Sequence, residues 1–349
     1  MTKNTITKIF NWEHWPTAFF YVPNLPYSFY LAIRAKHAAF FSAVNPCIKS
    51  SGNGTESKYT TIQLVPKKHR PTSFLVTKQT LFSDVIADIK KLSISFPLIA
   101  KPDIGFRGLL VEKIDTENDL QLYLKKYPIN ILIQEFLSEQ HECGIFYHRI
   151  PTEEKGKISS ITLKRFLSVI GDGKSTLEEL ILADKRAKLY IDLFKKNHQN
   201  KLKKIPRNKK EIPLTVVGNH SKGTEFINGN YLISKKLEKV FDVFNKSIPG
   251  WYYGRIDIKY ATFDELLNGH FKVLEINGII SEPTHIYDSE KYTYFKALKA
   301  IRTHWKFIFK IATINHKKYN VQYKSTKKFI EEMFELRAYI KKIKGLTNK

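Results

Sequence analysis

The chain has 349 residues, a length that fits a compact protein of two or three lobes. Its 42% hydrophobic and 26% charged residues are typical of a folded globular protein and exclude a disordered, collagen-like or coiled-coil chain. Lys and Arg number 58 against 33 Asp and Glu, so the net charge of +25 favours phosphorylated small molecules, nucleic acid or anionic membranes as partners.

The positive charge is concentrated in two segments. Residues 195–210 contain eight Lys or Arg and no acid, and residues 311–349 contain ten Lys or Arg and three Glu. The first segment has no aromatic residue among its cations, which favours a solvated loop over a nucleic-acid surface. In the second, apolar residues at helical spacings predict a basic amphipathic helix that packs on a core or on a membrane surface.

An uncharged stretch of nineteen residues, 15–33, lies near the start of the sequence. It reaches the length of a membrane span, but Pro16, Pro23 and Pro26 interrupt the hydrogen bonding of a continuous helix. Its many Trp, Tyr and Phe residues are the types that favour a membrane–water interface. A buried core segment is the favoured interpretation, and an interfacial anchor and a membrane span stay open.

Apolar runs bounded by turn residues predict the strands of a sheet in chain order. Strands at 96–101 and 108–114 flank a loop that contains Gly105 and Gly108. Thr116, followed three residues later by Asp119, predicts a capped helix start. Further strands are predicted at 130–137, 142–150, 157–166, 251–261 and 270–278.

Helical spacings predict the remaining elements. Apolar residues from Leu177 to Phe194 keep one face and predict a long helix that begins at about Ser175. Further helices are predicted at 233–248 and 290–316. Strands and helices mixed in this order indicate an α+β fold.

The strands at 251–261 and 270–278 carry polar side chains at alternating positions. Alternation places Arg255 and Asp257 on one face of the first strand, and Glu275 and Asn277 on one face of the second. Burying these carboxylates costs several kcal/mol unless something compensates their charge. Two carboxylates and an amide oxygen suit magnesium, and Arg255 suits the phosphates that such a metal carries. Structural salt bridges are the alternative interpretation.

A second signal is Lys101, which closes a buried strand before the loop 102–108. Glycines in that loop let backbone donors approach a phosphate, while a lysine supplies a point charge. Residues 171–176 resemble the end of a P-loop, but Ser168 stands where the first glycine of that motif is required. The P-loop interpretation is therefore excluded.

In this order the segments resemble an ATP-grasp enzyme, closest to the D-alanine–D-alanine ligase and cyanophycin-synthetase branch, over roughly residues 55–310. The resemblance implies an α+β fold in which two subdomains grip ATP. It rests on GTESKYTTI around Lys58, on IQEFL at 133–137, on SVIGDG at 168–173 and on the two polar strands.

The resemblance also implies roles for individual residues. The implied nucleotide-binding residues are Lys58, Lys101, Gly105, Gly108, Gln134, Glu135, Leu137, Glu142 and Lys222, with Arg165 as a further basic candidate. The implied metal ligands for Mg²⁺ or Mn²⁺ are Asp257, Glu275 and Asn277. The implied catalytic residues are Arg255, Lys101 and Ser281.

The implied activity is an ATP- and magnesium-dependent ligation of a small-molecule carboxylate to an amine or a thiol through an acyl phosphate. Neither substrate is identified. The loop after Asn277 offers Ser281, Glu282 and His285 for substrate contact or proton transfer, or is a plain surface turn. The alternatives are an ATP-grasp kinase acting on a hydroxyl, and a basic membrane- or nucleic-acid-binding protein with a vestigial nucleotide site. Nucleic acid is the disfavoured partner.

The sequence predicts four parts. Residues 1–57 form an aromatic, proline-rich region that serves as a reduced substrate lobe or an interfacial segment. Residues 58–142 form the small subdomain, 143–310 the large subdomain with the metal site, and 311–349 the basic tail. The only cysteines, Cys47 and Cys143, exclude a disulfide framework and favour a cytoplasmic location. Peripheral attachment to the inner membrane face, through the aromatic region and the tail, is a further expectation.

Overall fold

A computed structural model gives the fold and describes residues 11–105, 108–198, 201–215 and 218–346. The strands in chain order are β1 (Ser73–Val76), β2 (Leu98–Pro102), β3 (Glu112–Ile114), β4 (Ile131–Glu135), β5 (His141–His148), β6 (Lys157–Arg165), β7 (Ser168–Ile170), β8 (Glu211–Pro213), β9 (Glu225–Asn228), β10 (Tyr253–Tyr260) and β11 (Lys272–Asn277). The helices are α1 (Ala18–Tyr21), α2 (Leu25–Ala35), α3 (Lys58–Gln63), α4 (Phe82–Lys91), α5 (Glu117–Lys126), α6 (Leu177–Ala183), α7 (Ile191–His198), α8 (Lys235–Lys246), α9 (Phe263–Leu267), α10 (Tyr294–Tyr319) and α11 (Thr326–Leu346). Short 3₁₀ turns connect several of them.

Two antiparallel sheets organise the chain. The smaller sheet has the order β1-β4-β2-β3, and the larger has the order β11-β10-β5-β6-β9. Strands β7 and β8 form a separate pair. Antiparallel sheets that pack with helices confirm the predicted α+β fold class, and the two sheet units face one cleft as the ATP-grasp resemblance implies.

The small sheet is buried by its own helices. Strand β4 supplies Ile131 and Ile133, which are fully buried, and helices α4 and α5 cover them with Val85 and Leu120. The predicted strand at 108–114 shortens to β3 because Gly108 and Leu110 adopt left-handed backbone angles (φ 67° and 57°) and form a turn.

The predicted long helix from about Ser175 is two helices. Helix α6 ends at Ala183, and Asp184 follows with an extended backbone (ψ 132°). Its carboxylate accepts hydrogen bonds from the backbone N–H of Arg186 (2.9 Å) and Ala187 (2.6 Å). A side chain that caps the next turn in this way competes with helix continuation, although the apolar spacing runs on through the break.

Only one side of the segment 15–33 is buried in the core. Phe20 and Leu31 are buried, and Asn24 links α2 to α10 by accepting a 2.6 Å hydrogen bond from Arg302 and donating to the Leu298 carbonyl. The favoured interpretation, a buried segment, thus holds for the inner face of α2. Within the described residues, no helix is long and apolar enough to cross a membrane.

The C-terminal region packs on the protein core. Helix α10 continues to Tyr319, so the predicted boundary at 310 falls inside a helix, and the boundary at 142 falls inside β5. Helix α11 places Phe329 against Phe41, with ring centroids 4.9 Å apart, and buries Ile343 in the core of the small sheet. The tail is therefore helical from Thr326 to Leu346, and this helix packs on a core.

Candidate active site

A cleft of about 950 Å³ lies between the two sheets. The small sheet contributes side chains of β2 and β4, and the large sheet contributes those of β5, β6, β9, β10 and β11. The predicted site residues that line the cleft are Lys58, Lys101, Gly105, Gly108, Gln134, Glu135, Leu137, Glu142, Arg255, Asp257, Glu275, Asn277 and Ser281. Residues far apart in sequence are thus brought to one cavity.

Strands β10 and β11 pair so that Arg255 is opposite Asn277 and Asp257 is opposite Glu275. These polar side chains face the cleft, while Ile256 on the opposite face is fully buried in the core of the large sheet. Arg255 holds Asp257 in a two-point contact, with Nε–Oδ1 at 2.9 Å and Nη2–Oδ2 at 3.1 Å. The alternation read from the sequence accounts for this arrangement.

The environment of Asp257 keeps it ionised. Burial alone would raise the pKa of this carboxyl, but Arg255 and Lys164 outweigh burial and lower the pKa to about 2. Asn277 adds a hydrogen bond from Nδ2 to Oδ2 at 3.3 Å. At neutral pH the Asp257 carboxylate is therefore negatively charged, with the cations Arg255 and Lys164 beside it.

Glu275 is the second ionised carboxylate. It forms an ion pair with Lys58, and Lys58 and Lys101 together outweigh burial and lower its pKa. Lys101 donates hydrogen bonds to Gln134 Oε1 at 3.0 Å and to the Leu274 carbonyl at 3.3 Å. Burial lowers the pKa of Lys101 to about 8, although Glu275 favours its charged form.

The segment before α3 is fixed to the end of β11 by a close backbone approach. A Cβ on Gly52, which has φ 77°, would lie 2.7 Å from the Cα of Gly278. The Ser51 carbonyl accepts a 3.0 Å hydrogen bond from the Ile279 N–H. This contact positions the loop that leads to Lys58 beside the strand that carries Glu275 and Asn277.

Residues 134–137, part of the segment 133–137 on which the resemblance rests, lie at one side of the cleft where β4 of the small sheet leads to β5 of the large one, and we call them the hinge. Lys259 donates hydrogen bonds of 3.0 Å to the carbonyls of Leu137 and Glu139, which fixes the loop between β4 and β5. The Glu135 carboxylate accepts a 3.0 Å hydrogen bond from the Thr72 N–H. The apolar walls beside this hinge are Ile99, Leu109, Val111 and Leu274.

Sequence reasoning missed Lys164 and selected its neighbour. Lys164 lines the cleft, pairs with Glu142 at 2.7 Å and lies 3.6 Å from Asp257. Arg165 instead points outward, with a side chain that is 68% exposed and paired with Glu225. The signal that could have found Lys164 is the register of β5 and β6, in which Glu142 is opposite Lys164.

Two candidates, Lys222 and His285, are not among the residues that line the cleft, and a third, Ser281, lines it. Lys222 is not among the residues that line the cleft, and Glu112 on β3 partly offsets the effect of burial, which lowers the pKa of Lys222. His285 is buried away from the cleft lining, and burial lowers its pKa to about 4. Ser281 lines the cleft, but its hydroxyl donates to the Gly278 carbonyl within its own loop.

The donor set on β10 and β11 fits a hard divalent cation. Asp257 and Glu275 both have lowered pKa values, so both are ionised at neutral pH as such a metal requires. A second group, Glu13, His14 and His220, brings its ligand atoms within 4.8 Å of one another. There the Glu13 carboxylate already holds Arg186 and His220, each at 2.7 Å, which explains that group as a structural ion-pair network.

No protein-family model and no curated protein matches the chain. Among solved structures, D-alanine–D-alanine ligase from Bacillus anthracis complexed with ATP is similar at 13% identity and TM-score 0.41, over 78% of this chain and 71% of that one. VanG D-Ala:D-Ser ligase from Enterococcus faecalis is similar at 11% identity and TM-score 0.42, over 76% and 63%.

A bifunctional glutathione synthetase from Pasteurella multocida is similar at 15% identity and TM-score 0.38, over 69% of this chain. The chain spans only 36% of the length of that synthetase. These proteins are ligases of the kind that the sequence resembles. Their TM-scores lie near 0.4, a similarity that assigns no function to this chain.

Proposed function

We propose that the protein is an ATP- and magnesium-dependent ligase that joins a carboxylate to an amine, or to a thiol, through an acyl phosphate. The observation that carries this proposal is the convergence of Lys58, Lys101 and Arg255 with Asp257 and Glu275 in one cleft. Cations that neutralise phosphates, next to carboxylates that bind a metal, are what phosphoryl transfer from ATP requires of a protein.

The nucleotide is expected at the hinge side of the cleft. The apolar walls beside residues 134–137 suit a base, and Glu142 on β5 suits the ribose hydroxyls. Lys101 and Lys58 then face the phosphates, with the loop of Gly105 and Gly108 above them. Asp257, Glu275 and Asn277 would hold a magnesium ion, which when bound offsets the charge of the triphosphate.

The residues of the protein then contribute by positioning the substrates and by neutralising negative charge on the phosphates. A carboxylate oxygen of the substrate attacks the γ-phosphorus, and the bond to the leaving ADP oxygen breaks. An amine nitrogen next attacks the acyl carbon, phosphate leaves, and the nitrogen releases its proton. Arg255 and Lys101 stabilise the negative charge that both steps place on phosphate oxygens, and no covalent enzyme nucleophile takes part.

The test is an ADP-release screen with Mg-ATP across amino acids, dipeptides and hydroxy acids, with mass spectrometry of each product. An amide together with free phosphate supports the ligase. A phosphorylated hydroxyl would replace the ligase by a kinase on the same fold. Absence of any ADP release, with no binding of Mg-ATP, would leave the vestigial-site alternative.

The exposed side of α2 supports a second proposal, peripheral attachment of the protein to an anionic membrane surface. Leu25, Phe29 and Ile33 recur every four residues and are 42%, 66% and 76% exposed. Neighbouring α10 has no acidic residue, and its exposed cations recur at spacings of three and four: Lys296, Lys299, Arg302, Lys306 and Lys310. An apolar stripe beside a basic face is typical of helices that lie on anionic lipid.

A cytoplasmic location is part of this proposal. Cys47 and Cys143 are free thiols, which suits a reducing compartment. Partitioning of the full chain to anionic vesicles tests the membrane part of this proposal.

A further inference from the structure

Residues 201–210, which we call the basic segment, follow a path that their backbone fixes. The segment lies between α7 and β8 and runs beside residues 171–178. Hydrogen bonds of 2.8 to 3.2 Å join the two stretches: Gly171 N–H to the Lys210 carbonyl, Gly173 N–H to Pro206, Leu177 N–H to Lys204, Glu178 N–H to Leu202, and Lys209 N–H to Gly171. A segment held in this way presents its side chains in a defined arrangement.

The loop 171–173 allows this close approach because of its glycines. A Cβ on Gly171 would lie 2.3 Å from the carbonyl oxygen of Arg207 and 2.9 Å from the Cβ of Pro206. Gly173 adopts a left-handed backbone angle (φ 73°), which favours glycine. Residues 171–173 do not line the cleft. The part of the sequence that resembles the end of a P-loop therefore serves to seat the basic segment.

The side chains of the basic segment form a dense group of exposed cations. The segment contains six Lys or Arg and no acid, and all six side chains are exposed: Lys201, Lys203, Lys204, Arg207, Lys209 and Lys210. In the part of the chain that the structure describes, none of these six pairs with an acidic side chain. Their positive charge is thus directed to solvent.

The acidic side chains of the adjoining stretches are engaged elsewhere. Asp172 accepts a 2.6 Å hydrogen bond from the Ser175 hydroxyl, Glu178 pairs with Lys195 at 2.9 Å, Glu179 accepts from the Thr176 hydroxyl at 2.8 Å, and Glu211 accepts from the Ser168 hydroxyl at 2.6 Å. These contacts fix the acids without using any cation of the basic segment. An external anion would therefore not have to displace an internal partner.

Two exposed apolar side chains accompany the cations. Ile205 lies within the basic segment and is 56% exposed, and Ile170 directly precedes Gly171 and is 65% exposed. Isolated cations would suit any polyanion, but apolar side chains among them suit a surface that is anionic outside and apolar beneath. The segment has no aromatic residue on which bases could stack, which disfavours nucleic acid.

We propose that the basic segment, together with Ile170 and Ile205, binds the surface of an anionic phospholipid bilayer. Clusters of four to eight Lys or Arg bind such surfaces because each cation is attracted by the negative headgroups. This contact is separate from the apolar stripe of α2 and extends the membrane part of the proposed function. Binding of the segment to lipid requires neither the stripe nor ligase activity.

The test is sedimentation of the full chain with vesicles of phosphatidylcholine alone and of phosphatidylcholine with phosphatidylserine. The wild type should bind the anionic vesicles and not the neutral ones. Lys203→Gln, Arg207→Gln and Lys209→Gln combined should lower partitioning to the anionic vesicles at least tenfold. Ile205→Ser should lower it about threefold, because less apolar surface leaves water.

The matched control removes the same charge from another exposed surface. Lys90→Gln, Lys91→Gln and Lys125→Gln combined, on α4 and α5, should stay within twofold of the wild type. Lys203→Arg with Lys209→Arg keeps the charge of the basic segment and should also behave as the wild type. Circular dichroism checks that each variant is folded.

Equal losses in the two charge-removing variants would show that only the net charge matters and would overturn the proposal. Wild-type binding that does not distinguish the two kinds of vesicle would overturn it as well. If the variant at 203, 207 and 209 loses binding to polyaspartate or single-stranded RNA but not to vesicles, the partner is an acidic polymer and not lipid. Phe29→Ser with Ile33→Ser tests the α2 stripe separately, and the absence of ATP keeps these outcomes independent of the ADP-release screen.

Discussion

Lys164 on β6 pairs with Glu142 on the neighbouring strand at 2.7 Å and lies 3.6 Å from Asp257, so one ammonium group joins the implied ribose carboxylate to the implied metal carboxylate. All three side chains are nearly buried, at 7 to 9% exposure. Burial alone would lower the pKa of Lys164, but Asp257 and Glu142 outweigh it and raise that pKa. The group therefore stays charged at neutral pH.

Replacing Lys164 by Gln should destabilise the fold and impair the site together. Loss of a buried partner leaves Glu142 without its counter-charge, which costs about 3 kcal/mol in the free energy of unfolding. Urea denaturation measures this loss, and ADP release should fall at least tenfold. The matched control is Arg165→Gln, because Arg165 forms an exposed pair whose loss costs less than about 1 kcal/mol. Similar behaviour of the two variants would show that Lys164 is an ordinary surface cation.

Glu275→Gln should retain the fold and lose turnover. The neutral amide no longer attracts a divalent cation or pairs with Lys58, so magnesium-dependent ADP release should fall by about 100-fold. Circular dichroism checks the fold, and Glu265→Gln, an exposed change at α9, is the control. Unchanged turnover in Glu275→Gln would remove Glu275 from the metal site.

The lowered pKa of Lys101 predicts that a rise in pH weakens ADP binding and increases the free energy of unfolding. Because its pKa lies at about 8, it loses its charge as the pH rises through that value, and ADP affinity should fall about tenfold between pH 7 and pH 9. Unfolded lysine keeps its proton to about pH 10.4, so the unfolded chain binds more protons in this window. The free energy of unfolding without ligand should therefore rise between about pH 8 and pH 10.4.

Lys101→Arg separates this effect from other titrations, because an arginine keeps its charge throughout the range. Its ADP affinity should be flat from pH 7 to pH 9 when measured by calorimetry. If the wild type and Lys101→Arg have the same pH profile, another group governs nucleotide binding.

The apolar stripe on α2 predicts binding to anionic vesicles. Phe29→Ser combined with Ile33→Ser should lower partitioning to phosphatidylserine-containing vesicles about tenfold, because two exposed apolar side chains no longer enter the interface. Leu122→Ser, an exposed apolar change on α5, is the control. Equal sedimentation of both variants with the vesicles would exclude the stripe as a membrane contact, and a change in oligomeric state alone would assign it to a second copy of the chain.

The strand positions of the implied metal residues could be predicted because the evidence for them is local. Arg255 and Asp257 alternate within one strand, as do Glu275 and Asn277 within the next, and a period of two needs no knowledge of the rest of the fold. The fold class followed from the same patterns. The structure adds that Asp257 and Glu275 face each other across the strand pair.

The missed features depend on register and on long-range contacts. Which of Lys164 and Arg165 faces the cleft is decided by the pairing of β6 with β5, and shifting that pairing by one residue exchanges their faces. The contact between Tyr21 and Trp305, whose ring centroids are 6.1 Å apart, depends on the packing of the N-terminal region on α10. The break at Asp184 was hidden because the apolar spacing continues on both sides of it.

Helix α11 also constrains how the cleft can open. Near its start Phe329 packs on Phe41 and Glu332 accepts a 2.8 Å hydrogen bond from Ser50, while Ile343 near its end lies in the small-sheet core. The helix thus contacts both halves of the molecule. We expect that a movement of the small sheet away from the large one bends α11 or detaches one of its ends. The stiffness of this single helix would then affect how fast a ligand enters or leaves the cleft.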